Sequence, residues 1–142
     1  METHFTRVGI GVIIRKNGKI LLWKRLSKHW EGTRAPPWGH LEFHETPIEW
    51  AKRETMEETG ITIKNAKIIG FTNDIYIDKH YITIIVLSDY DQWEAKTLEP
   101  DKCEKREWIS REDFPNPRFL SMDNLIKSWF HPFNNTDTIF TE

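Results

Sequence analysis

The chain has 142 residues, of which 38% are hydrophobic and 30% charged, and its net charge is −2. This balance predicts a single globular domain over residues 1–142 and excludes a disordered chain. No apolar run approaches the ~18 residues of a membrane span, the first residues lack the order of a secretory signal, and the single cysteine, Cys103, indicates a cytoplasmic protein.

The near-zero net charge hides an uneven distribution. The segment Met1–Leu41 carries a net charge of +6, whereas Glu42–Glu58 and Thr59–Glu142 each carry −4. A protein that coats a nucleic acid would be basic over the whole domain, so no nucleic-acid polymer is expected as a partner. The distribution favours a site that holds a small anion together with a metal cation.

The first predicted elements are two antiparallel strands followed by a long loop. The strands are Val8–Ile14 and Lys19–Trp23, and Asn17-Gly18 between them is typical of a hairpin turn because both residues tolerate positive φ. Leu26–Gly39 contains Pro36-Pro37 and is predicted to be an extended loop. Loops of this length in a compact domain are commonly functional.

A helix is predicted from Pro47 to Thr59. Thr46 is its expected N-cap, Glu49 completes a capping box, and Gly60 ends it. The residues expected to pack against the core lie on one side of the helix and are Ile48, Ala51 and Thr55.

The remaining elements are three strands and a helix. The strands are Ala66–Thr72, Tyr81–Ser88 and Lys105–Ile109, a short turn is expected from Ser110, and the last helix is expected to be capped by Ser121. Strands, a loop, a helix, strands and a helix in this order predict an α+β fold with a mixed sheet in one domain.

Three carboxylates share one face of the predicted helix. Glu54, Glu57 and Glu58 lie at i, i+3 and i+4, within an arc of about 100°. Their repulsion costs only about 0.2–0.5 kcal/mol per pair in water, so a solvated acidic face is one interpretation. Clustered carboxylate oxygens are also the ligands of Mg²⁺ or Mn²⁺, and spacing alone leaves both interpretations open.

The segment from Gly39 to Ile61 resembles the Nudix box, in which Gly, Glu, Arg-Glu, Glu-Glu and Gly recur at fixed spacing. All seven fixed positions match, namely Gly39, Glu45, Arg53, Glu54, Glu57, Glu58 and Gly60. Thr55 departs from the pattern because an aliphatic residue is usual there, so its hydroxyl needs a partner. Trp38 departs because many members have a second glycine there, whose backbone conformations are less accessible to tryptophan.

The resemblance implies a Nudix-type α/β/α sandwich and Mg²⁺-dependent hydrolysis of a nucleoside diphosphate linked to another group, with Mn²⁺ as a substitute. Glu57 and Glu58 would be the principal metal ligands, and the Trp38 backbone carbonyl would be another. Glu54 would be a ligand or the base that activates water. Glu104, in the loop expected before the last strand, either completes the metal site or is a solvated surface residue.

The resemblance also implies roles for the other residues of the motif. Arg53 would pair with Glu45 and with the metal-binding carboxylates and fix their rotamers. Gly39 and Gly60 would have structural roles.

Motifs outside the box extend the resemblance to one branch of the family. Leu98–Glu104, Glu107-Trp108 and Pro117–Phe119 are similar to the branch that contains the human thiopurine and 8-oxo-dGTP diphosphatase and its plant relatives. The implied substrates are (d)NTPs, including oxidised ones such as 8-oxo-dGTP, cleaved to the monophosphate and pyrophosphate. The branch also implies a homodimer.

Five residues are candidates for substrate binding, of which Arg34 is selected by its position in the long loop and the others by the resemblance to the branch. Arg25 and Arg34 would bind phosphates, since the arginine fork donates two hydrogen bonds, although a solvated surface charge also explains Arg34. Phe119 would stack on the base or instead plug the core. Asn73 and Thr83 would line the pocket, and Thr83 fits equally well as a cross-strand residue.

Two other hypotheses remain open. One is a Nudix hydrolase of a different substrate, such as ADP-ribose, NADH, another dinucleotide or dihydroneopterin triphosphate. The other is a nucleotide-binding module that kept the fold and lost hydrolysis. The intact Glu54, Glu57 and Glu58 count against the second hypothesis.

Overall fold

The structure, a computed structural model, describes residues 4–25, 34–93, 103–110, 112–113 and 120–128. These ranges form strands β1 (Arg7–Lys16), β2 (Lys19–Arg25), β3 (Arg34–Ala35), β4 (Trp38–His40), β5 (Thr62–Ile75), β6 (His80–Gln92) and β7 (Cys103–Ile109), with helices α1 (Pro47–Thr59) and α2 (Leu120–Ser128). The predicted α+β fold with a mixed sheet is confirmed. No helix in the described ranges is long and apolar enough to span a bilayer.

The predicted N-terminal hairpin is present. β1 and β2 pair antiparallel with Lys16 opposite Lys19, and the turn residues Asn17 and Gly18 have φ values of 52° and 77°. Both values lie in the left-handed region, which asparagine and glycine tolerate better than other residues.

The sheet has the strand order β3-β2-β1-β6-β5, and β4 and β7 pair in addition with β1 and β2. β1 and β6 run parallel, and the other pairs are antiparallel. The prediction of an uninterrupted loop over Leu26–Gly39 is wrong in its second half, because β3 and β4 lie there. These strands of two and three residues are too short for a periodic pattern, and pairing with β2 and β1 creates them.

One helix packs on each face of the sheet. On one face, Trp50 and Ala51 of α1 contact a buried cluster that includes Ile10, Val12 and Val86. On the other face, the residues of α2 and of the strands form a second cluster that comprises Ile13, Ile20, Leu22, Ile69, Ile85, Leu87, Met122 and Leu125. The arrangement is an α/β/α sandwich, and the residues of β1 alternate between the two clusters as a strand requires.

Helix α1 has the predicted bounds, Pro47–Thr59. Thr46 Oγ1 accepts a hydrogen bond from the Glu49 amide at 3.1 Å, and the Glu49 carboxylate accepts one from the Thr46 amide at 3.3 Å. Gly60 ends the helix with a φ of 77° and donates its N–H to the Met56 carbonyl. These local contacts satisfy backbone groups at both ends, which is why the sequence was sufficient to locate the helix.

The core-facing side of α1 is wider than the sequence predicted. Ala51 and Thr55 are fully buried and Ile48 is half-buried, as expected. Trp50, which was not assigned to the core, is 1% exposed and is the largest buried side chain of the helix. It packs toward the strand that carries Gly39.

Other predictions of element bounds also need correction, and β6 runs to Gln92, beyond the predicted Ser88. Strand β5 runs from Thr62 to Ile75 and is longer than the predicted Ala66–Thr72. Its pairing with β6 shifts register at three points, which lets the strand continue past polar residues. Ser121 lies inside α2, which begins at Leu120, and so is not its N-cap. The predicted turn after Ser110 is present, with the Asp113 amide donating to the Ser110 carbonyl.

Thr55 is a buried hydroxyl in a position where the Nudix pattern prefers an aliphatic residue. Its Oγ1 has no hydrogen-bond partner among the described residues. Thr55→Val keeps the shape and removes this unsatisfied group, so we expect the free energy of unfolding to rise by about 1 kcal/mol. Thermal unfolding measures the change, which corresponds to an increase in Tm of about 2–5 °C.

Thr59→Val is the matched control for this prediction. Thr59 is equally buried, but its hydroxyl donates to the Thr55 carbonyl and accepts from the Ile61 amide. The control is expected to lower Tm, because it removes hydrogen bonds that are made. A decrease in Tm for Thr55→Val as large as that for Thr59→Val would contradict the prediction.

Candidate active site

Arg53 lies at the centre of the charged residues of α1. Its Nε and Nη2 donate to the two carboxylate oxygens of Glu45 at 2.7 and 2.8 Å. Its Nη1 donates to Glu54 Oε1 at 2.9 Å and to Glu57 Oε2 at 3.1 Å. One guanidinium therefore holds three carboxylates, and the bidentate pair with Glu45 fixes its own orientation.

The turn before α1 places Glu45 for this pair. The Glu45 amide donates to the Glu42 carbonyl at 3.1 Å, and His44 has a φ of 67°. Thr46, which follows Glu45, is the N-cap of the helix and begins its capping box. The hydrogen bond from Arg53 holds the pKa of Glu45 below its ordinary value, and the same bond raises the pKa of Arg53.

The shifted pKa of Glu45 predicts how stability depends on pH. A carboxyl group with a depressed pKa in the folded state stabilises the fold above its unfolded pKa of about 4.5, and this stabilisation is lost as pH falls through the folded pKa. We therefore expect Glu45→Gln to lose stability relative to the wild type at pH 7, and the difference to shrink below pH 4.5. Chemical denaturation at pH 7, 5, 4 and 3 measures the difference in the free energy of unfolding. A difference that grows as the pH falls would contradict the assignment.

The three helix carboxylates differ in burial. The side chains of Glu57 and Glu54 are 55% and 20% exposed. Glu58 is only 7% exposed, so the description of the three as one solvated face is wrong for this residue. Thr55 and Thr59, its neighbours on the helix, are fully buried, so Glu58 lies at the border between the core-facing side of α1 and its charged side.

Arg106 of β7 was not foreseen as part of this region. Its Nη2 donates to the backbone carbonyl of Glu58 at 2.8 Å, and its guanidinium carbon lies 3.7 Å from the centroid of the Trp23 ring. A cation at the last turn of a helix is favourable because the free carbonyls carry partial negative charge. The only feature of the sequence that pointed to Arg106 was its charge within the short predicted strand Lys105–Ile109.

The donor chemistry of the region fits Mg²⁺. Carboxylate oxygens from one helix are hard ligands, and Mg²⁺ commonly takes one or two of them and completes its shell with water and substrate phosphates. Among the described residues, no three acidic, histidine or cysteine side chains form a preassembled cage. Arg53 Nη1 contacts one oxygen of Glu54 and one oxygen of Glu57, so a metal would bind through the other oxygen of each carboxylate.

Trp38 and Gly39, at the start of the Nudix-like segment, lie in strand β4. They pair with Gly11 and Ile10 of β1, and neither has a positive φ. The expected conflict between Trp38 and a glycine-type backbone is therefore absent, because an extended strand suits tryptophan. Gly39 is needed for another reason: a Cβ there would lie 2.6 Å from Cζ2 of Trp50.

Thr83 and Asn73, the residues expected to line the substrate pocket, differ in exposure. Thr83 is fully buried, and its hydroxyl donates to Oδ2 of Asp74. Asn73 is exposed, and its Oδ1 lies within hydrogen-bond distance of His80 Nε2. Asp74 is 1% exposed and also accepts from Asn124 Nδ2 at 2.8 Å, a buried role that the local sequence does not indicate.

Four sequence-predicted residues cannot be placed as side chains. The backbones of Arg25 and Arg34 lie in β2 and β3, but their side chains are outside what the structure describes. Glu104 lies inside β7 rather than in the loop before it, because pairing with β2 extends the strand to Cys103. Its side chain and the whole of Phe119 are also outside the described residues.

The sequence of the chain is similar to those of known proteins. The NUDIX domain family matches residues 5–130. The ADP-ribose pyrophosphatase of Methanocaldococcus jannaschii is 32% identical over 124 residues, which cover 86% of this chain and 72% of that protein.

The fold of the chain is similar to those of solved structures. The MutT NUDIX hydrolase of Burkholderia pseudomallei superposes with a TM-score of 0.81 and 28% identity, over 89% of this chain and all of the other. The MutT protein of Methanosarcina mazei Go1 superposes with a TM-score of 0.67 and 27% identity, over 79% of this chain and 82% of that protein. Together with the spacing of the box residues, these matches show that the chain belongs to the Nudix family and is a Nudix pyrophosphohydrolase.

Proposed function

We propose that this protein is a Mg²⁺-dependent diphosphatase that hydrolyses nucleoside triphosphates, including modified ones such as 8-oxo-dGTP, to the monophosphate and pyrophosphate. The observation that carries the proposal is the arrangement of Glu45, Glu54 and Glu57 around one guanidinium. Ion-pair networks also occur on helices without a functional site, but these three carboxylates stand at the spacing of the Nudix box, in which such residues hold a divalent cation against a diphosphate.

Glu57 and Glu58 would hold the metal, together with the Trp38 carbonyl and, from outside the helix, Glu104. When bound, Mg²⁺ neutralises phosphate charge and stabilises the charge that develops on the oxygens during phosphoryl transfer. Among the described residues, Glu57 is the most accessible of the three helix carboxylates, and Glu58 lies in a less polar environment, where its attraction to a cation is stronger.

Arg53 would act by positioning the carboxylates. Its bidentate bond to Glu45 leaves Nη1 directed at Glu54 and Glu57, so the two metal-site carboxylates are oriented by a residue that is itself fixed. Glu54 is 20% exposed and accepts only one of these bonds from Arg53, so it has an oxygen available for a metal or for the proton of an attacking water.

The phosphates and the base would be bound by residues from other elements. Arg25 and Arg34 would donate to the phosphates, and both belong to the basic N-terminal segment. Asn73 and Phe119 would contact the nucleoside. The choice of a triphosphate substrate rests on the resemblance of the sequence to the 8-oxo-dGTP diphosphatase branch. Homodimer formation and a cytoplasmic location remain predictions from the sequence.

ADP-ribose is a second candidate substrate. The relative from Methanocaldococcus jannaschii is named an ADP-ribose pyrophosphatase and is 32% identical. The box residues serve either substrate, because both contain a diphosphate that a carboxylate-held metal can bind. The two candidates therefore differ in the pocket and not in the metal site.

Product analysis distinguishes the candidates. The purified protein with Mg²⁺ is incubated with dNTPs, 8-oxo-dGTP, CTP, ADP-ribose and NADH, and the products are separated by ion-exchange chromatography. Pyrophosphate and a monophosphate from triphosphates alone support the main proposal. AMP and ribose 5-phosphate from ADP-ribose, with no turnover of triphosphates, support the second candidate. Absence of turnover for every compound would overturn both.

A further inference from the structure

The face of the sheet on which Thr83 lies is filled by side chains of the protein. Thr83 is fully buried, and its hydroxyl donates to Asp74. The indole of Trp38 lies on the same face over Gly9, the partner of Thr83 in β1, where a Cβ would be 2.7 Å from Cζ2. Asn73 is exposed and points to the opposite face, because successive residues of a strand alternate. A base bound beside Asn73 therefore lies on the other side of the sheet from Thr83.

An open cavity of about 620 Å³ lies at the end of the sheet where β1 begins and β4 ends. Its walls come from the first residues of β1 and from the segment His40–Glu45, which connects β4 to α1. Val8, one of the lining residues, lies on the same face of the sheet as Asn73, since both pair with Ile82. Cavities that bind small ligands have volumes of about 300–1,000 Å³, so this one has room for a nucleoside.

Glu45 connects the cavity to the acidic residues of α1. It lines the cavity, and both of its carboxylate oxygens accept hydrogen bonds from Arg53. Nη1 of the same guanidinium donates to Glu54 and Glu57. The cavity is thus separated from the proposed metal site by one arginine side chain. A substrate whose phosphates lie at the metal can place its base in the cavity.

The cavity presents an aromatic ring and a guanidinium, which are the groups that bind nucleobases. Phe43 is 89% exposed, and the ring of His44 meets it at a centroid distance of 4.0 Å. Such a ring adds little to the core but offers a face on which a base can stack. The guanidinium carbon of Arg7 lies 5.0 Å from the centroid of the Phe5 ring, so its N–H groups can donate to a base in the cavity.

We infer that this cavity is the base-binding site, in which the base of the substrate stacks on Phe43 and Arg7 donates to its O6 carbonyl oxygen. The inference rests on the proposed function and specifies where its nucleoside binds. Guanine and 8-oxoguanine both carry O6, whereas adenine carries an amino group at that position, which cannot accept from Arg7. Guanine nucleotides are therefore bound in preference to adenine nucleotides.

Product binding to Phe43 variants tests the inference without turnover. Dissociation constants of dGMP, dAMP and inorganic pyrophosphate are measured by calorimetry with Mg²⁺ present. Phe43→Ala removes the stacking face, so we expect the Kd of both nucleotides to rise about tenfold, while the Kd of pyrophosphate, which has no base, changes less than about twofold. Phe43→Tyr keeps an aromatic ring and is expected to bind dGMP more tightly than Phe43→Ala does.

Arg7→Met separates recognition of the O6 atom from stacking. Methionine keeps an unbranched chain at this exposed position and removes the donors. The wild type is expected to bind dGMP about tenfold more tightly than dAMP, and Arg7→Met is expected to lose this preference through weaker binding of dGMP.

Trp93→Ala is the matched control for the loss of an exposed aromatic ring. Trp93 is 62% exposed and follows the end of β6, whereas Arg7 pairs with Tyr81 near the start of β6. The length of the strand separates Trp93 from the cavity, so its Kd for dGMP is expected to stay within about twofold of the wild type. Thermal unfolding verifies that each variant is folded, and Phe43→Leu replaces Phe43→Ala if the alanine variant is not.

Two sets of results distinguish failure of the inference from failure of the proposed function. A wild type that binds dAMP as tightly as dGMP, or a Phe43→Ala variant that binds dGMP as tightly as the wild type, would overturn the inference. An equal rise in Kd for dGMP and pyrophosphate in Phe43→Ala would also overturn it. Hydrolysis of ADP-ribose without hydrolysis of any triphosphate would instead overturn the proposed function.

Discussion

Glu57→Gln and Glu58→Gln are each expected to reduce kcat by about 10²–10³-fold, because each substitution removes a negative charge that would hold the metal. Metal ions contribute several kcal/mol of transition-state stabilisation, and each 1.4 kcal/mol corresponds to a factor of ten. Glutamine keeps the size of the side chain and can still donate or accept hydrogen bonds. The loss should therefore appear in turnover and not in the fold.

The measurement is kcat against Mg²⁺ concentration, together with thermal unfolding of each variant. Glu49→Gln is a control on the same helix, because Glu49 is exposed and a glutamine still completes the capping box with Thr46. Its kcat is expected to stay within about twofold of the wild type. Wild-type turnover in both Glu57→Gln and Glu58→Gln would remove these residues from the metal site.

The two variants should differ in stability. Glu57 is exposed, so its substitution is expected to change the free energy of unfolding by no more than about 0.5 kcal/mol. Glu58 is buried, so its substitution acts on a packed part of the protein. We therefore expect the change in the free energy of unfolding to be larger for Glu58→Gln than for Glu57→Gln, while both variants remain folded and lose turnover.

Gly39→Ala is expected to destabilise the fold by about 1–3 kcal/mol or more, because the new methyl group would overlap the ring of Trp50. The Cβ would lie 2.6 Å from Cζ2, and Trp50 is 1% exposed, so the ring has little room to move. The clash would push α1 away from β4. Activity should fall with stability, since α1 carries the acidic residues and β4 carries Trp38.

Gly11→Ala is the matched control for this prediction. A Cβ at Gly11 meets its nearest neighbour, Cδ1 of Ile85, at 3.5 Å, which is an ordinary contact. Chemical denaturation should show a smaller loss of stability for Gly11→Ala than for Gly39→Ala. The double variant Gly39→Ala with Trp50→Phe should recover part of the loss, because phenylalanine lacks the Cζ2 atom that clashes. Equal losses in Gly39→Ala and Gly11→Ala would contradict this account.

Several parts of the fold and of the site could be predicted from local sequence patterns. The bounds of α1 follow from Thr46, Pro47 and Gly60, whose capping contacts span only a few residues. The hairpin turn follows from Asn17-Gly18, since positive φ is a property of the residues themselves. The spacing of Glu54, Glu57 and Glu58 places them on one helix because the helical repeat is constant.

Other features depended on contacts between distant segments. β3 and β4 exist because β2 and β1 supply hydrogen-bond partners, which no pattern of two or three residues encodes. The local sequence does not indicate a role for Asp74, yet its carboxylate accepts hydrogen bonds from Thr83 and Asn124, which belong to two other elements. Arg106 likewise reaches the carbonyl of Glu58 only because β7 pairs with β2.

The box residues illustrate the division between local pattern and tertiary contact. The family, the metal-binding chemistry and the helix that carries it were evident from residue types at fixed spacing, because helical geometry and carboxylate chemistry are local properties. The burial of Glu58, the contact between Gly39 and Trp50, and the placement of the Trp38 indole over Gly9 depended on how the sheet and helices pack. Burial and steric contact involve atoms that are far apart in the chain, so they depend on how the layers of the sandwich pack against one another.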